Sequence, residues 1–96
     1  MNNIKVLIVD DEQELVSTLA ERLSIRGLQT RTATDGETAL EIIKEDPPQV
    51  VLLDVMMPGL GGLEILKRIN TMNLNISVIL PLTGDVKIRL SLYLSK

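Results

Sequence analysis

Val50-Val51-Leu52-Leu53-Asp54-Val55-Met56-Met57-Pro58-Gly59 is the stretch whose reading decides the fold. Four consecutive apolar residues, Val50 to Leu53, read as a short, fully buried strand of the kind found inside a parallel sheet. The run stops at a carboxylate, and Pro58-Gly59 then forbids simple continuation of strand or helix. Asp54 is therefore predicted at the carboxyl end of a central strand, where open α/β sheets bind their ligands. The plainer reading is that Asp54 merely ends a strand and is solvated. This stretch alone favours neither.

The pattern occurs again upstream. Ile4-Lys5-Val6-Leu7-Ile8-Val9 is a β-branched run ending in Asp10-Asp11-Glu12, and it reads as the first strand. Two parallel strands finishing this way would place Asp10, Asp11 and Asp54 along one rim of a sheet. From Glu12 the period changes: Leu15, Leu19 and Leu23, flanked by Val16, Ala20 and Ile25, recur at helical spacing. Asp11 or Glu12 would cap this helix at its positive end, and Gly27 suits its C-cap. Capping is the local explanation for the acidic pair, but one cap needs only one carboxylate. Leu28 to Ala33 alternates and reads as a short strand near a sheet edge. Thr34 or Asp35 then caps a helix, Glu37 to Glu45, with Ala39, Leu40, Ile42 and Ile43 on one face. Pro47-Pro48 stops that helix and feeds the Val50 strand.

Downstream, Gly61-Gly62 leads into Leu63, Ile65, Leu66 and Ile69, a third amphipathic helix ending near Asn73. Gly59-Leu60-Gly61-Gly62 is not a dinucleotide fingerprint, because Glu64 stands where the third glycine belongs, and there is no Walker motif. Ile76 to Leu80 reads as a fourth strand, followed by Leu82-Thr83-Gly84-Asp85, with Pro81 interrupting the ladder. Val86 to Leu92 is long enough for about two helical turns, and Tyr93 to Lys96 for the start of a fifth strand. The order β-α-β-α-β-α-β with short links predicts an α/β fold. Its sheet would be parallel and doubly wound, with right-handed crossovers and helices on both faces. One domain spans residues 1–96.

Composition narrows the functions. The chain has 96 residues and is 45% hydrophobic, with one Tyr and no Trp or Phe, so Leu, Ile and Val must fill the core. A formal charge of −3 argues against direct nucleic-acid contact by this segment. No Lys/Arg cluster points to a membrane surface, and no apolar run reaches the ~18 residues of a membrane span. The absence of cysteine excludes a disulfide framework and a thiolate metal site. The absence of histidine removes the commonest general base and any phosphohistidine chemistry within the chain. The start, Met1-Asn2-Asn3-Ile4-Lys5, lacks a signal-peptide pattern, so a cytoplasmic location is expected.

Three carboxylates on one rim repel one another, and a hard divalent cation removes the conflict. Mg²⁺ characteristically takes one or two carboxylates, keeps several waters and adds phosphate oxygens. Thr83, after the fourth strand, would supply a hydroxyl beside the same rim. Lys96, ending a fifth strand, would supply a point positive charge. A carboxylate nucleophile, a metal, a hydroxyl donor and an ammonium together form a phosphoryl-transfer constellation. Each residue also has a local role as a cap, strand end, turn threonine or terminal lysine. Local roles do not account for their joint placement at one end of successive strands.

These residues resemble the receiver domains of two-component response regulators. Val9-Asp10-Asp11-Glu12 looks like that family's acidic pair after strand one. Leu53 to Gly59 looks like the segment around its phospho-accepting aspartate, and Gly62 matches the glycine that follows. Leu82-Thr83 resembles the hydroxyl position after strand four, and Tyr93-Leu94-Ser95-Lys96 the aromatic switch residue and the lysine beyond it. The resemblance implies a flavodoxin-like sheet order, 2-1-3-4-5. It implies that Asp54 accepts a phosphoryl group from a phosphohistidine on a sensor histidine kinase. Asp10 and Asp11 would hold Mg²⁺, one of them directly, with Asp54 and the Met56 backbone carbonyl as further ligands. Thr83 and Lys96 would contact the phosphoryl oxygens. Movement of Thr83 would let Tyr93 turn inward and change the surface that a downstream output domain or protein reads. A homodimer is compatible with this reading.

Two features depart from the family's pattern. No fifth helix follows Lys96 within these residues, and only ten residues, Thr83 to Leu92, separate the fourth strand from Tyr93. A parallel crossover normally needs a dozen or more, so segment 84–92 is abnormally short and the carboxyl-terminal part is expected to be incomplete. One alternative is a receiver-like docking or dimerisation module that is never phosphorylated. Another is a small phosphatase with an aspartate nucleophile. That chemistry wants a second carboxylate two residues after the nucleophile, where this chain has Met56. The leading expectation is a phospho-accepting receiver. It would be no enzyme beyond self-catalysed phosphotransfer and slow autodephosphorylation.

Overall fold

The computed structural model describes residues 4–54, 61–72 and 75–80. Its elements, in chain order, are β1 (Lys5–Val9), α1 (Gln13–Ile25), β2 (Gln29–Ala33), α2 (Gly36–Glu45), β3 (Val50–Leu53), α3 (Gly62–Thr71) and β4 (Ser77–Ile79). The sheet order is β2-β1-β3-β4, and every pairing is parallel. This is the expected order as far as its fourth strand. The fifth strand, the Val86–Leu92 helix and Pro81 lie outside the described residues. β1, β2 and β4 are each shorter by a residue at one or both ends than the apolar runs suggested, as strand ends without ladder partners are.

Strand periodicity sorts the core onto two faces. Leu7, Val9, Val51 and Leu53 point to one side, where Ala39, Leu40 and Ile43 of α2 and Ile65 and Ile69 of α3 bury them. Val6 and Ile8 point to the other side, against Val16 and Leu19 of α1, with Val50 and Leu52 partly buried there. Consecutive residues of β1 and β3 thus serve opposite faces, which is why these strands read as unbroken apolar runs. Among the described residues, no helix is long and apolar enough to cross a membrane.

The helix ends refine the expected caps. Glu12 occupies the N-cap position of α1, yet neither it nor Asp11 caps the helix: Glu12 makes no side-chain cap bond. The Asp10 carboxylate takes the Glu12 N–H instead, at 3.0 Å. Gly27 lies one place beyond the C-cap, Arg26, with φ +90. Its N–H donates to the Ser24 carbonyl and that of Leu28 to the Leu23 carbonyl. This is a Schellman closure, and the positive φ explains the glycine. At α2, Asp35 is the cap: its carboxylate accepts the Thr38 N–H at 2.8 Å and the Thr38 hydroxyl at 3.0 Å. These bonds, the backbone one foremost, hold the Asp35 carboxyl below the usual carboxylate range.

Candidate functional site

Two backbone bonds set the rim. Asp54 N–H donates to the Val9 carbonyl at 3.0 Å, and Asp10 N–H donates to the Ala33 carbonyl at 3.1 Å. Val9 and Leu53 are register partners. The residue after each, Asp10 and Asp54, therefore leaves adjacent strands at the same level. Both are buried, each 5% exposed, whereas Asp11 beside them is exposed.

One carboxylate oxygen from each of Asp10, Asp11 and Asp54 lies within 4.8 Å of the others. The sequence predicted this convergence, and the fold brings all three together. The separation suits a hard cation. Mg²⁺ binds oxygen at about 2.0–2.1 Å, so two oxygens on opposite sides of one ion stand about 4.2 Å apart. Small side-chain movements, or one water between an acid and the ion, close the difference. The donor set is all oxygen with no nitrogen or sulfur, which favours Mg²⁺ over softer metals. Four residues carried over by resemblance lie outside the described residues: Met56, Thr83, Tyr93 and Lys96.

Sequence reasoning missed a second task of Asp10. The oxygen that holds the Glu12 N–H ties the entry of α1 to the rim, so the same carboxylate anchors backbone and faces the cluster. An aspartate two residues before a helix entry is a recognisable signal for this turn.

The amino end of the sheet carries a different charge arrangement. Lys5 Nζ lies 2.6 Å from Asp46 Oδ1, and Arg31 Nη1 lies 3.7 Å from Asp46 Oδ2. The Lys5 hydrogen bond, helped by both cations, holds the Asp46 carboxyl low. Gln49 brackets Lys5 there, its Oε1 accepting the Lys5 N–H and its N–H donating to the Lys5 carbonyl.

Comparison with known proteins supplies the family. The pattern of the response regulator receiver domain matches residues 6–90. Sporulation initiation phosphotransferase F of Bacillus subtilis is 44% identical over 80 residues, covering 83% of this chain and 64% of that protein. The alkaline phosphatase synthesis transcriptional regulatory protein PhoP of the same organism is 37% identical over 83 residues, covering 86% of this chain and 35% of that protein. The chain thus spans less than two thirds of either relative. Among solved structures, the receiver domain of Francisella response regulator 1452 aligns with a TM-score of 0.76 at 32% identity. That alignment covers 96% of this chain and 78% of the Francisella one. The N-terminal domain of a response regulator receiver protein from Methanoculleus marisnigri JR1 aligns at 0.75 and 35% identity, over 88% of this chain and 74% of that one.

Proposed function

The chain belongs to the response regulator receiver domain family of two-component signalling, and from that premise we propose that Asp54 is its phospho-acceptor. The observation that carries this is the buried Asp54 carboxylate at the end of β3, with the oxygens of Asp10 and Asp11 within 4.8 Å. A carboxylate oxygen of Asp54 attacks the phosphorus of a donor, a phosphohistidine on a sensor kinase or a small acyl phosphate. A P–O bond to Asp54 forms as the bond to the donor breaks, and the donor's electron pair leaves with the imidazole or the carboxylate. The product is an aspartyl phosphate, a mixed anhydride.

Asp10 and Asp11 would hold Mg²⁺, one directly and one through water, with Asp54 and the Met56 carbonyl as further ligands. When bound, the ion offsets the negative charge that gathers between donor and acceptor. The chain's own residues do the rest. β1 and β3 fix the acids in register, and burial at the strand ends limits water around Asp54. The Asp10 bond to Glu12 N–H keeps one carboxylate from turning away. Thr83, a few residues beyond β4, would donate its hydroxyl to a phosphoryl oxygen and couple the event to Tyr93. Lys96 is the cation that the family's pattern calls for, and its place depends on how the short link from Thr83 runs.

These 96 residues hold no histidine, so a phosphohistidine donor lies outside them. Self-catalysed transfer and slow hydrolysis of the phosphoryl group are the only covalent steps assigned to this chain, with a histidine kinase as donor and an output domain or protein as reader. Intact-mass measurement after incubation with Mg²⁺ and acetyl phosphate tests the proposal. The wild type is expected to gain one phosphoryl group only with Mg²⁺, and Asp54→Asn to gain none. No gain in the wild type, with Mg²⁺ binding confirmed, would leave a docking module that is not phosphorylated.

A further inference from the structure

Asp10 is tied to the fold through both its main chain and its side chain. Its N–H donates to the Ala33 carbonyl at 3.1 Å, and its Oδ1 accepts the Glu12 N–H at 3.0 Å. Glu12 in turn offers its carbonyl to the Val16 N–H at 3.0 Å, the first bond of α1. One residue therefore joins the acidic rim to the first turn of a helix, its N–H on the rim side and its carbonyl on the helix side. The entry of α2 is held by the same kind of bond, the Asp35 carboxylate accepting the Thr38 N–H at 2.8 Å. Asp35, however, is not among the three carboxylates that gather within 4.8 Å.

We propose that Glu12 is a positioning residue for the divalent cation, acting through its main-chain N–H rather than its carboxylate. The inference rests on the Mg²⁺ reading above and adds a residue that the acidic cluster does not contain. A carboxylate has two oxygens, so Asp10 can hold the N–H with one and reach the ion with the other. Before the ion binds, the charges of Asp11 and Asp54 push the Asp10 carboxylate away from the cluster. The Glu12 N–H opposes that rotation, so part of the ordering is complete before the ion arrives. A bound ion removes the repulsion and keeps the carboxylate where the N–H meets it. The coupling is reciprocal: whatever the N–H adds to the affinity of the ion, the ion adds to the bond. The first turn of α1 thus registers whether the cation is bound.

Proline at position 12 removes the donor and leaves all three acids in place. The φ of Glu12, −84, lies near the value that the proline ring requires. Glu12→Ala removes the same carboxylate but keeps the N–H, so the two variants differ in the donor. Mg²⁺ dissociation constants are measured by titration of amide resonances in nitrogen-15-labelled protein. Glu12→Pro is expected to bind Mg²⁺ about fivefold or more weakly than Glu12→Ala, the lower end of ordinary couplings between sites. Equal constants would overturn the inference.

The unmutated chain supplies a second measurement that does not depend on how proline is tolerated. Saturating Mg²⁺ is expected to slow hydrogen exchange at the Glu12 amide by about the same factor. The Thr38 amide, held by a carboxylate outside the cluster, is expected to keep its rate. Unchanged or faster exchange at Glu12 would overturn the inference, the faster rate by showing that the ion draws Asp10 off the N–H. Equal slowing at Glu12 and Thr38 would overturn it too, because the effect would then be general stabilisation. A wild type that binds no Mg²⁺ would remove the underlying cation reading and the positioning role together, whereas binding without these differences would remove the positioning role alone.

Discussion

The two ends of one sheet handle charge in opposite ways. At the amino end, one carboxylate, Asp46, sits between two cations at 2.6 and 3.7 Å, and all three side chains keep 40% or more of their surface in water. At the carboxyl end, three carboxylates converge within 4.8 Å, and two of them are almost wholly buried. Exposed pairs of the first kind contribute little to stability. Buried like charges cost stability, and a fold that keeps them does so where a ligand or reaction uses them. The contrast separates an end where one half-exposed carboxylate meets two cations from an end where three carboxylates gather, the end on which the proposed cation and phosphoryl chemistry rests.

The sharpest way to break that contrast is to remove the excess charge. At free Mg²⁺ about a hundred times its dissociation constant, a site present only in the folded state adds about 2.7 kcal/mol. Urea unfolding of the wild type is expected to show a gain of this order, and Asp10→Asn with Asp11→Asn to show none. Without metal, comparing the double variant with the wild type measures how far the three charges repel across the cluster. A wild type indifferent to Mg²⁺, or a variant weaker without it, would mean that the cluster is compensated in some other way.

A second comparison divides Asp10 itself. Asn at position 10 keeps an oxygen for the Glu12 N–H, whereas Ala leaves that donor without it. Asp10→Ala is therefore expected to unfold about 1 kcal/mol more readily than Asp10→Asn, while both lose Mg²⁺ response alike. Equal stability would assign Asp10 to the cation alone.

Much of this was readable before the fold. β1 and β3 announced themselves because a strand that packs apolar side chains on both faces has no polar alternation, although Val50 and Leu52 of β3 are only partly buried. Each run ended on the acids that form the rim. The N-cap position of α1 was legible as one of two candidates, Asp11 and Glu12, and it is Glu12. What the sequence did not show is that Glu12 makes no side-chain cap bond and that the Asp10 carboxylate holds its N–H. The Lys5–Asp46 and Lys5–Gln49 contacts left no trace, since they join residues 41 and 44 positions apart and follow only from the parallel register. The Asp35 cap was legible as one of two candidates, because its partner is only three residues away.

The amino end offers a smaller test. Lys5→Met is expected to lower the melting temperature slightly, to leave the Mg²⁺ response unchanged, and to lose its effect in high salt, where exposed pairs are screened. An effect that persists in salt would show that the Lys5 stem packs against the cavity lined by Val6, Ile42 and Pro48 rather than acting through its charge.

The smallest expected effect is the pH dependence shared by Asp35 and Asp46. Both carboxyls lie below their ordinary value of 3.8 in the folded chain, Asp35 through the Thr38 backbone bond and Asp46 through the Lys5 bond. A depressed carboxyl binds its proton more readily when unfolded, so its contribution is complete above the unfolded value. It is lost as pH falls through the folded one. Stability measured downward from about pH 5 should therefore begin to decline near 4 from these two groups. Asp35→Ser keeps a capping oxygen without the charge, and should flatten the Asp35 share of that decline while leaving the Asp46 share. Asp46→Asn should do the reverse. If neither variant changes the slope, the hydrogen bonds from Thr38 and Lys5 do not set the acid sensitivity of this fold.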